Sequence, residues 1–435
     1  MLRVYEALYR PSRFVLIAVV TLTVVWTATD RFTPPETDRF VEPLWPGSAD
    51  FYIPWAAARA LRQGSNPYLT PLGDPWNRRE LVDGQMYYLL YPPAMVTLYL
   101  PLAYYTDSYF IAAKIARVWH FMALAAIAFA TWTIVRIVRR SLGHPHTEPV
   151  VGLLLFCCMA LCSQTSLALE RGQSDITVAL LCWLGVLALF YKHTFTAVFL
   201  ATAATAVKGY PILFGMGIGL LALVTQSWWR AIAGALSAVA VLLYPVRDYV
   251  VLGMNAARFR SNLVCHEWRN YAFSQFVWQW WPDDPFMTSW GRLLLTFFCG
   301  TVALACLVQA LRSDALSRPR WVLLFSLMSL TTMVGYSACG YVYSFIMLAP
   351  GILAFFVAAP ELLAAFGWSR IVALTATWVQ VPAAFWLFAS RLDDHMPVSA
   401  TADGLVAFVL LNGTLLLIGL IRGQGRPRLI PHDEL

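Results

Sequence analysis

The sequence predicts an all-α, polytopic membrane protein, and three observations lead to that prediction. Only 13% of the 435 residues are charged, about half of the roughly 25% that soluble domains carry. Hydrophobic residues make up 59% of the chain, and its mean hydropathy is +0.61. Long apolar runs recur along the whole sequence. These features exclude a soluble globule, a disordered chain and a small disulfide-stabilised scaffold.

Twelve apolar runs are candidates for membrane-spanning helices, with both termini on one side of the membrane. The segments on that side would hold fifteen Lys and Arg, whereas the short connectors on the other side hold three. Because positively charged short loops stay in the cytoplasm, we expect cytoplasmic termini. The net charge of +7 then reflects these arginines rather than nucleic-acid binding. The runs lie near 14–29, 108–138, 150–168, 174–191, 195–207, 210–226, 230–247, 291–311, 321–338, 342–359, 370–390 and 404–421.

One further apolar segment, 86–105, is interrupted by Pro92, Pro93 and Pro101. It is predicted to be a re-entrant or interfacial hairpin, which is tolerated where protein covers the freed backbone groups. If it crosses the membrane instead, the region 195–226 has to form one kinked helix to keep the charge pattern. We prefer twelve crossings, which place two long loops, 30–107 and 248–290, outside the cell.

The first external loop is predicted to contain a short amphipathic helix. Phe51 and Trp55 recur at helical spacing, and Arg59 marks the polar face. This pattern is typical of a helix that lies on the membrane surface. Gly64, followed by Asn66-Pro67, is expected to end the helix as a C-terminal cap and stop signal.

Asp50 stands at the head of this helix, and two interpretations of it remain open. It can be an N-cap, since Asp is favoured there and its carboxylate accepts hydrogen bonds from unpaired backbone amides. It can also be a catalytic base held at the mouth of a membrane cavity. The two roles do not exclude each other.

Two polar sites interrupt the apolar runs. Residues 170–175 contain four strongly polar side chains, and such side chains at membrane depth usually face a cavity or one another. The alternative is a solvated connector with an Arg171–Asp175 pair.

Lys208 lies alone among roughly thirty apolar residues, where burying an ammonium costs about 2.5–3.5 kcal/mol. We expect an anion, such as a lipid phosphate, to compensate it, unless the side chain extends to the headgroups.

The second external loop is rich in cationic and aromatic side chains, among them Arg258, Arg260 and His266. Its tryptophans are typical of an interfacial belt, but aromatic rings also stack on sugars, and Arg can hold a phosphate. The sequence has no Walker loop, no dinucleotide fingerprint and no metal-binding His pair. We therefore expect no metal, no other cofactor and no nucleotide bound in the cytoplasm.

The external motifs resemble those of the GT-C membrane glycosyltransferases, and within them glycosyltransferase family 87. The resemblance covers about 45–250 and rests on four motifs in the right order. They are Asp50 with the helix after it and Asn66-Pro67-Tyr68, Tyr91-Pro92-Pro93-Ala94, Arg171-Gly172-Gln173, and Lys208-Gly209-Tyr210-Pro211. The chain departs from the family in having one acid, not an Asp-x-Asp pair, after Trp45, so metal use is not expected.

The resemblance implies a GT-C-like bundle and a polyprenyl-phosphate sugar as donor, such as a mannose or arabinofuranose lipid. It implies a lipid or glycan acceptor and an inverting transfer on the periplasmic or extracellular face of the inner (plasma) membrane. Asp50 would be the base. The donor would be bound by Lys208, Arg171, Gln173, Tyr91, Arg59 and Tyr210, with Arg258, Arg260 and His266 as further loop contacts.

The domain organisation that follows has three parts. Residues 1–250 form a catalytic transmembrane module that includes the loop 30–107, residues 251–290 form the second external loop, and residues 291–435 form C-terminal helices. The alternative function is a lipid-linked sugar flippase or a secondary transporter, since broken helices with a cation at membrane depth also occur there. A flippase, however, has no need of an acid at the head of an interfacial helix.

Overall fold

The structure is a computed structural model that describes residues 49–69, 91–143, 174–255, 284–336, 342–369 and 399–421, with a few single residues between these ranges. Every element in the described part is helical, which confirms the all-α prediction. The α-helices are α1 (Ala49–Arg62), α2 (Pro93–Tyr105), α3 (Tyr109–Ser141), α4 (Asp175–Phe190), α5 (Thr194–Lys208), α6 (Ile212–Thr225), α7 (Trp228–Leu243), α8 (Pro285–Arg312), α9 (Arg318–Tyr336), α10 (Ala349–Ala365) and α11 (Ser399–Ile421). Short 3₁₀ helices cover Tyr244–Tyr249 and Val342–Met347.

Three stretches are long and apolar enough to cross a membrane, namely Ile111–Ser141, Trp228–Asn255 and Phe286–Arg312. Large apolar side chains lie exposed along α3, α7 and α8, as expected for helices that face lipid. The apolar helices α4 to α6 have 14 to 16 residues and so span about 21–24 Å. The chain is thus a membrane protein. The number of twelve crossings stays a prediction, since the runs 14–29, 150–168 and 370–390 lie largely outside the described residues.

The region 195–226 forms two antiparallel helices rather than one kinked helix. α5 ends at Lys208, and Gly209 adopts a positive φ of 74°, which only glycine adopts readily. α6 then returns along α5, where the space for a side chain at Gly215 is occupied by Thr205 Oγ1 at 2.5 Å. This hairpin agrees with the twelve-crossing arrangement.

The proline-containing segment before α3 forms helix α2, which has 13 residues and therefore a length of about 20 Å. Residues 86–90 of this segment lie outside the described residues, so its predicted re-entrant or interfacial position stays a prediction. Thr97 of α2 donates a 2.7 Å hydrogen bond to the carbonyl of Leu242. α2 is thus held against α7 as a buried helix of the bundle.

Helix α1 forms where the sequence predicts it, but its apolar face does not lie on the membrane surface. Phe51 and Trp55 are each 1% exposed. The ring of Phe51 lies 5.5 Å from that of Tyr99 in α2, and Trp55 lies 5.8 Å from Tyr109 at the start of α3. The expectation of an interfacial face was wrong because neighbouring helices, rather than lipid, cover these aromatic side chains.

The predicted end of α1 is confirmed. Gly64 has a φ of 77°, and its N–H donates to the carbonyl of Leu61 at 3.0 Å. The N–H of Ser65 donates to the carbonyl of Ala60 at 2.8 Å. These two bonds form a Schellman motif, which pairs carbonyls left over at the helix end. The motif fixes where the chain leaves α1.

A close contact between α6 and α9 gives a test of this packing. A Cβ at Gly217 would overlap the buried ring of Phe325, so Gly217→Ala should lower stability by about 1–3 kcal/mol, as overpacking does. Gly219→Ala on the same helix is the control, because no described atom lies within 4 Å of its Cβ. Thermal unfolding in one detergent measures both variants. Equal midpoints for the two would contradict the packing.

Candidate active site

A buried ion pair joins the open end of the α4–α5 hairpin. Asp175 is the first residue of α4 and Lys208 is the last residue of α5. Lys208 Nζ lies 3.1 Å from Asp175 Oδ2, and the two side chains are 5% and 0% exposed. Lys208 therefore finds its compensating anion inside the protein. The interpretation that it extends to the lipid headgroups was wrong, because the protein encloses it.

The position of each charge at a helix end makes the pair favourable. The amino end of a helix carries partial positive charge and its carboxyl end carries partial negative charge. Asp175 occupies an amino end and Lys208 a carboxyl end, so each charge lies where the helix dipole stabilises it. Asp175, at the end of the segment 170–175, is buried and pairs with Lys208. Arg171 lies outside the described residues, so the alternative of an Arg171–Asp175 pair stays untested.

Within the described residues, Ser344 and Tyr91 also contact the pair. Ser344, 1% exposed, donates its hydroxyl hydrogen bond to Asp175 Oδ1 at 3.3 Å. Lys208 Nζ lies 5.2 Å from the ring centroid of Tyr91, within the range of a cation–π interaction. Apart from the ion pair, Oδ2 of Asp175 accepts no hydrogen bond from the part of the chain that the structure describes.

The site also connects the separate sequence motifs. The hydroxyl of Tyr68 donates a 3.0 Å hydrogen bond to the carbonyl of Tyr91, whose ring lies under Lys208. Burial raises the pKa of the Tyr68 phenol above its ordinary value, so it stays protonated and remains a donor. Tyr210, two residues after Lys208, is partly buried against the same core. The motifs around Tyr68, Tyr91 and Lys208 therefore converge in the structure.

Asp50 lies in the first turn of α1, one residue after the helix begins at Ala49. An acid in this turn interacts favourably with the helix dipole. Its side chain lies outside the described residues. Its interpretation as a base therefore stays a prediction.

Arg59 belongs to a separate cluster on the polar face of α1. Its Nε lies 3.1 Å from Asp107 Oδ1, and Arg62 contacts the same carboxylate. The guanidinium of Arg59 also lies 4.9 Å from the ring centroid of Trp55. These contacts tie α1 to the turn between α2 and α3. The predicted polar face is confirmed, and the role of Arg59 in binding a donor stays a prediction.

Five other predicted site residues lie outside the described part of the chain. They are Arg171, Gln173, Arg258, Arg260 and His266. Arg171 and Gln173 precede Asp175 by four and two positions in the sequence. Their predicted roles are untested.

An apolar groove of about 550 Å³ lies between α2 and α3 and reaches the first turn of α4. Tyr105 and Trp119 on its walls are 73% and 44% exposed, so the groove opens on the surface of the bundle. At its inner end, Trp119 Nε1 donates a 3.1 Å hydrogen bond to Thr177, which follows Asp175 by two residues. The other lining residues are Leu98, Tyr99, Pro101, Leu102, Ile115, Ala116 and His120.

Three residues of the site were missed as site residues by sequence reasoning. Asp175 had a detectable signal, since an acid at the start of an apolar run needs a partner as much as Lys208 does. Tyr68 is part of a recognised motif, but its role as a hydrogen-bond donor depends on a residue 23 positions later. Ser344 lies 169 positions from Asp175, and no local pattern marks it.

The sequence matches the model of glycosyltransferase family 87 over residues 88–334. This span is more than half of the chain, and it contains Tyr91, Asp175 and Lys208. The chain belongs to glycosyltransferase family 87. Together with its membrane helices, this makes it a membrane glycosyltransferase rather than a flippase or a transporter.

One solved structure to which the chain is similar is ArnT from Cupriavidus metallidurans, crystallised bound to undecaprenyl phosphate. The two sequences are 14% identical, and the alignment covers 94% of this chain and 78% of that chain with a TM-score of 0.40. No curated protein matches the sequence.

The ion pair makes a prediction about stability. Lys208→Met would leave Asp175 as a buried charge without its partner, and breaking such a pair costs about 3–5 kcal/mol. The double variant Lys208→Met/Asp175→Asn removes both charges and should recover most of that loss. Thermal unfolding of both variants beside the wild type is the measurement. A double variant no more stable than Lys208→Met would show that the two charges are not coupled.

Proposed function

We propose that this glycosyltransferase moves a hexose or pentose, such as mannose, from a polyprenyl-phosphate donor to a hydroxyl of a lipid or glycan acceptor. The observation that carries the proposal is the convergence of the motifs around Tyr68, Tyr91 and Lys208 on a buried Lys208–Asp175 pair, near an apolar groove on the surface of the bundle. A lipid-linked phosphate has both chemical parts that this arrangement suits: an anion for the cation, and a hydrocarbon chain for the groove.

Lys208 is the proposed ligand of the donor phosphate. Its ammonium has a fixed position, since Asp175 and Tyr91 contact it from within the protein. A cation held in place stabilises the charge that grows on a departing phosphate without having to reorganise, which is usually the largest electrostatic contribution to catalysis. Arg171, Gln173 and Tyr210 are proposed to complete this phosphate and sugar site, as the family resemblance implies.

The groove between α2 and α3 is the proposed site of the donor's isoprenoid chain. Its walls are mainly apolar, and its opening lies among exposed apolar side chains such as Ile111 and Val118 of α3. A chain could therefore enter sideways from the lipid. One of its lining residues, Thr177, follows Asp175 by two residues on α4, so the groove reaches the end of α4 that carries Asp175.

The proposed base is Asp50. The acceptor oxygen attacks the anomeric carbon, the bond from that carbon to the phosphate oxygen breaks, and its electron pair stays on the phosphate. The proton of the acceptor hydroxyl passes to the Asp50 carboxylate, a general-base step. The transition state resembles an oxocarbenium ion, as in other glycosyl transfers. A single direct displacement inverts the configuration at the anomeric carbon, and the proposal includes no metal or other cofactor.

The proposed location of the reaction is the external face of the plasma membrane, with both termini in the cytoplasm. α3 ends with Arg139 and Arg140, and Lys192 lies in the turn between α4 and α5. The Lys208–Asp175 pair lies at the opposite end of that hairpin. Because cationic connectors stay inside, the pair lies towards the outside.

The proposed function is tested by incubating the purified protein with polyprenyl-phosphate sugars and membrane lipid extract, followed by mass spectrometry of the products. We expect transfer of one sugar to a lipid or glycan hydroxyl. Failure to transfer any of the sugars offered would contradict the proposal.

Asp50→Asn tests the base. Asn has nearly the size of Asp, and losing one charge in the first helical turn costs only about 0.3–1 kcal/mol, so the variant should unfold close to the temperature of the wild type. An amide does not accept a proton at neutral pH, and loss of a general base typically costs about 10²–10⁴-fold in rate. Turnover and thermal unfolding are measured on the same purified variant. Near-normal turnover would show that Asp50 is not the base.

Ala116→Phe tests the groove, because the larger side chain fills it from the α3 wall. We expect the KM for a long-chain donor to rise roughly tenfold or more, as the lost burial of about two CH₂ groups predicts. Ala125→Phe is the matched control, since Ala125 is exposed on the same helix and does not line the groove. If both variants have the same KM, the chain does not lie there.

A further inference from the structure

We propose that Tyr68 is a positioning residue that holds the ring of Tyr91 in place beside the Lys208 ammonium and thereby raises the affinity of the site for a lipid-linked phosphate. The inference rests on the proposed function of Lys208 as the phosphate ligand. It concerns a residue that has no role in the reaction scheme given above and that acts through Tyr91.

The hydroxyl of Tyr68 bonds a carbonyl at a helix start that has few donors of its own. The two residues after Tyr91 are Pro92 and Pro93, which carry no N–H, and the N–H of Met95 donates to the carbonyl of Pro92. The carbonyl of Tyr91 accepts the 3.0 Å hydrogen bond from the Tyr68 hydroxyl. Tyr91 is buried, and a buried carbonyl that loses its donor is costly. The bond from Tyr68 therefore fixes the backbone that carries the Tyr91 ring.

Tyr68 is itself held on several sides. It is buried, and its N–H donates a 2.9 Å hydrogen bond to Asn66 Oδ1. A Cβ at Gly253 would overlap both the hydroxyl of Tyr68 and the ring of Pro93. The backbone of the stretch Trp228–Asn255 thus packs directly on Tyr68 and on the first turn of α2. These contacts leave the hydroxyl little freedom to move away from the Tyr91 carbonyl.

The position of the Tyr91 ring matters because Lys208 has contacts on two sides. Asp175 Oδ2 lies 3.1 Å from Lys208 Nζ, and the ring centroid of Tyr91 lies 5.2 Å from the same atom. The ring face attracts the ammonium and so opposes its movement towards the carboxylate. If the ring moves, the ammonium shifts towards Asp175, and a phosphate has to draw it back before the two can bond.

The test is Tyr68→Phe, which removes the hydroxyl and keeps the ring that packs on Pro93. We expect the Kd for undecaprenyl phosphate to rise and kcat/KM for the donor to fall, each roughly three- to tenfold, the size expected for weakening one cation–π contact away from water. The Kd is measured by titrating undecaprenyl phosphate into the purified protein in lipid nanodiscs. Thermal unfolding is measured on the same sample. An unchanged Kd would overturn the proposal.

Two controls separate positioning from a general loss of stability. Tyr104→Phe makes the same chemical change at an exposed tyrosine of α2 and should leave the Kd unchanged. Gly217→Ala lowers stability at the contact between α6 and α9, and it should also leave the Kd unchanged. If Gly217→Ala raises the Kd as much as Tyr68→Phe does, lost stability explains the effect and the positioning role is wrong.

A second variant displaces the hydroxyl instead of removing it. Gly253→Ala places a Cβ where the Tyr68 hydroxyl lies, so it should raise the Kd for undecaprenyl phosphate in the same direction. This variant also provides the test if Tyr68→Phe does not fold. A wild-type Kd for Gly253→Ala would contradict the proposal.

A double-mutant cycle shows whether the effect passes through Lys208. In the background Lys208→Met/Asp175→Asn, which lacks both charges, Tyr68→Phe should leave the Kd unchanged, because coupled residues are not additive. The same increase in both backgrounds would overturn the proposal. If this background itself binds undecaprenyl phosphate as tightly as the wild type, the proposed function of Lys208 fails together with this inference. If the background binds more weakly and Tyr68→Phe does not, the inference alone fails.

Discussion

A charged side chain enclosed in a membrane protein needs its counter-charge within the protein, because hydrocarbon supplies none. The Lys208–Asp175 pair meets this requirement with both side chains almost fully buried. Replacing such a pair with apolar residues is often neutral or stabilising, so stability alone does not explain its presence. The energetic cost of burying the pair is lowered because each charge lies at the helix end whose dipole stabilises it. It also leaves a fixed ammonium at the end of the hairpin, where the family motifs meet.

The pair also joins parts of the chain that are far apart in sequence. Ser344, which contacts Asp175, lies in the second 3₁₀ helix, beyond the residues 88–334 that match the family model. The same 3₁₀ helix accepts a 2.9 Å hydrogen bond at the Met347 carbonyl from Trp183 Nε1 of α4. α4 is thus anchored on one side by α5 and on the other by the C-terminal part of the chain. A substitution near Ser344 is therefore expected to affect the Lys208–Asp175 pair, although it lies outside the family motifs.

Much of the fold could be predicted from the sequence, because apolar runs and turn residues act locally. The runs near α3 to α9 formed helices close to their predicted bounds, and Gly64 and Gly209 ended α1 and α5. The apolar face of α1 was predicted correctly, but its surroundings were not. Periodicity identifies the face that avoids water, and it does not distinguish lipid from another helix.

The site could be predicted only in part, for a related physical reason. Lys208 was found because an isolated cation stands out within apolar sequence, and Tyr91 because the motif that contains it resembles one of the family's. The partner of Lys208 is set by how α4 and α5 meet, 33 positions apart in the chain, and an acid that precedes an apolar run is equally compatible with a solvated turn. Tertiary packing, rather than any local signal, determines which anion reaches the ammonium.

The central claim is that Lys208, held in place by Asp175 and Tyr91, binds the donor phosphate. The most direct measurement is an experimental structure of the protein in lipid nanodiscs with undecaprenyl phosphate bound. The account predicts a phosphate oxygen about 2.7–2.9 Å from Lys208 Nζ, as in a charge-assisted hydrogen bond, with the chain in the groove between α2 and α3. A phosphate bound elsewhere, with Lys208 still paired to Asp175 alone, would contradict it.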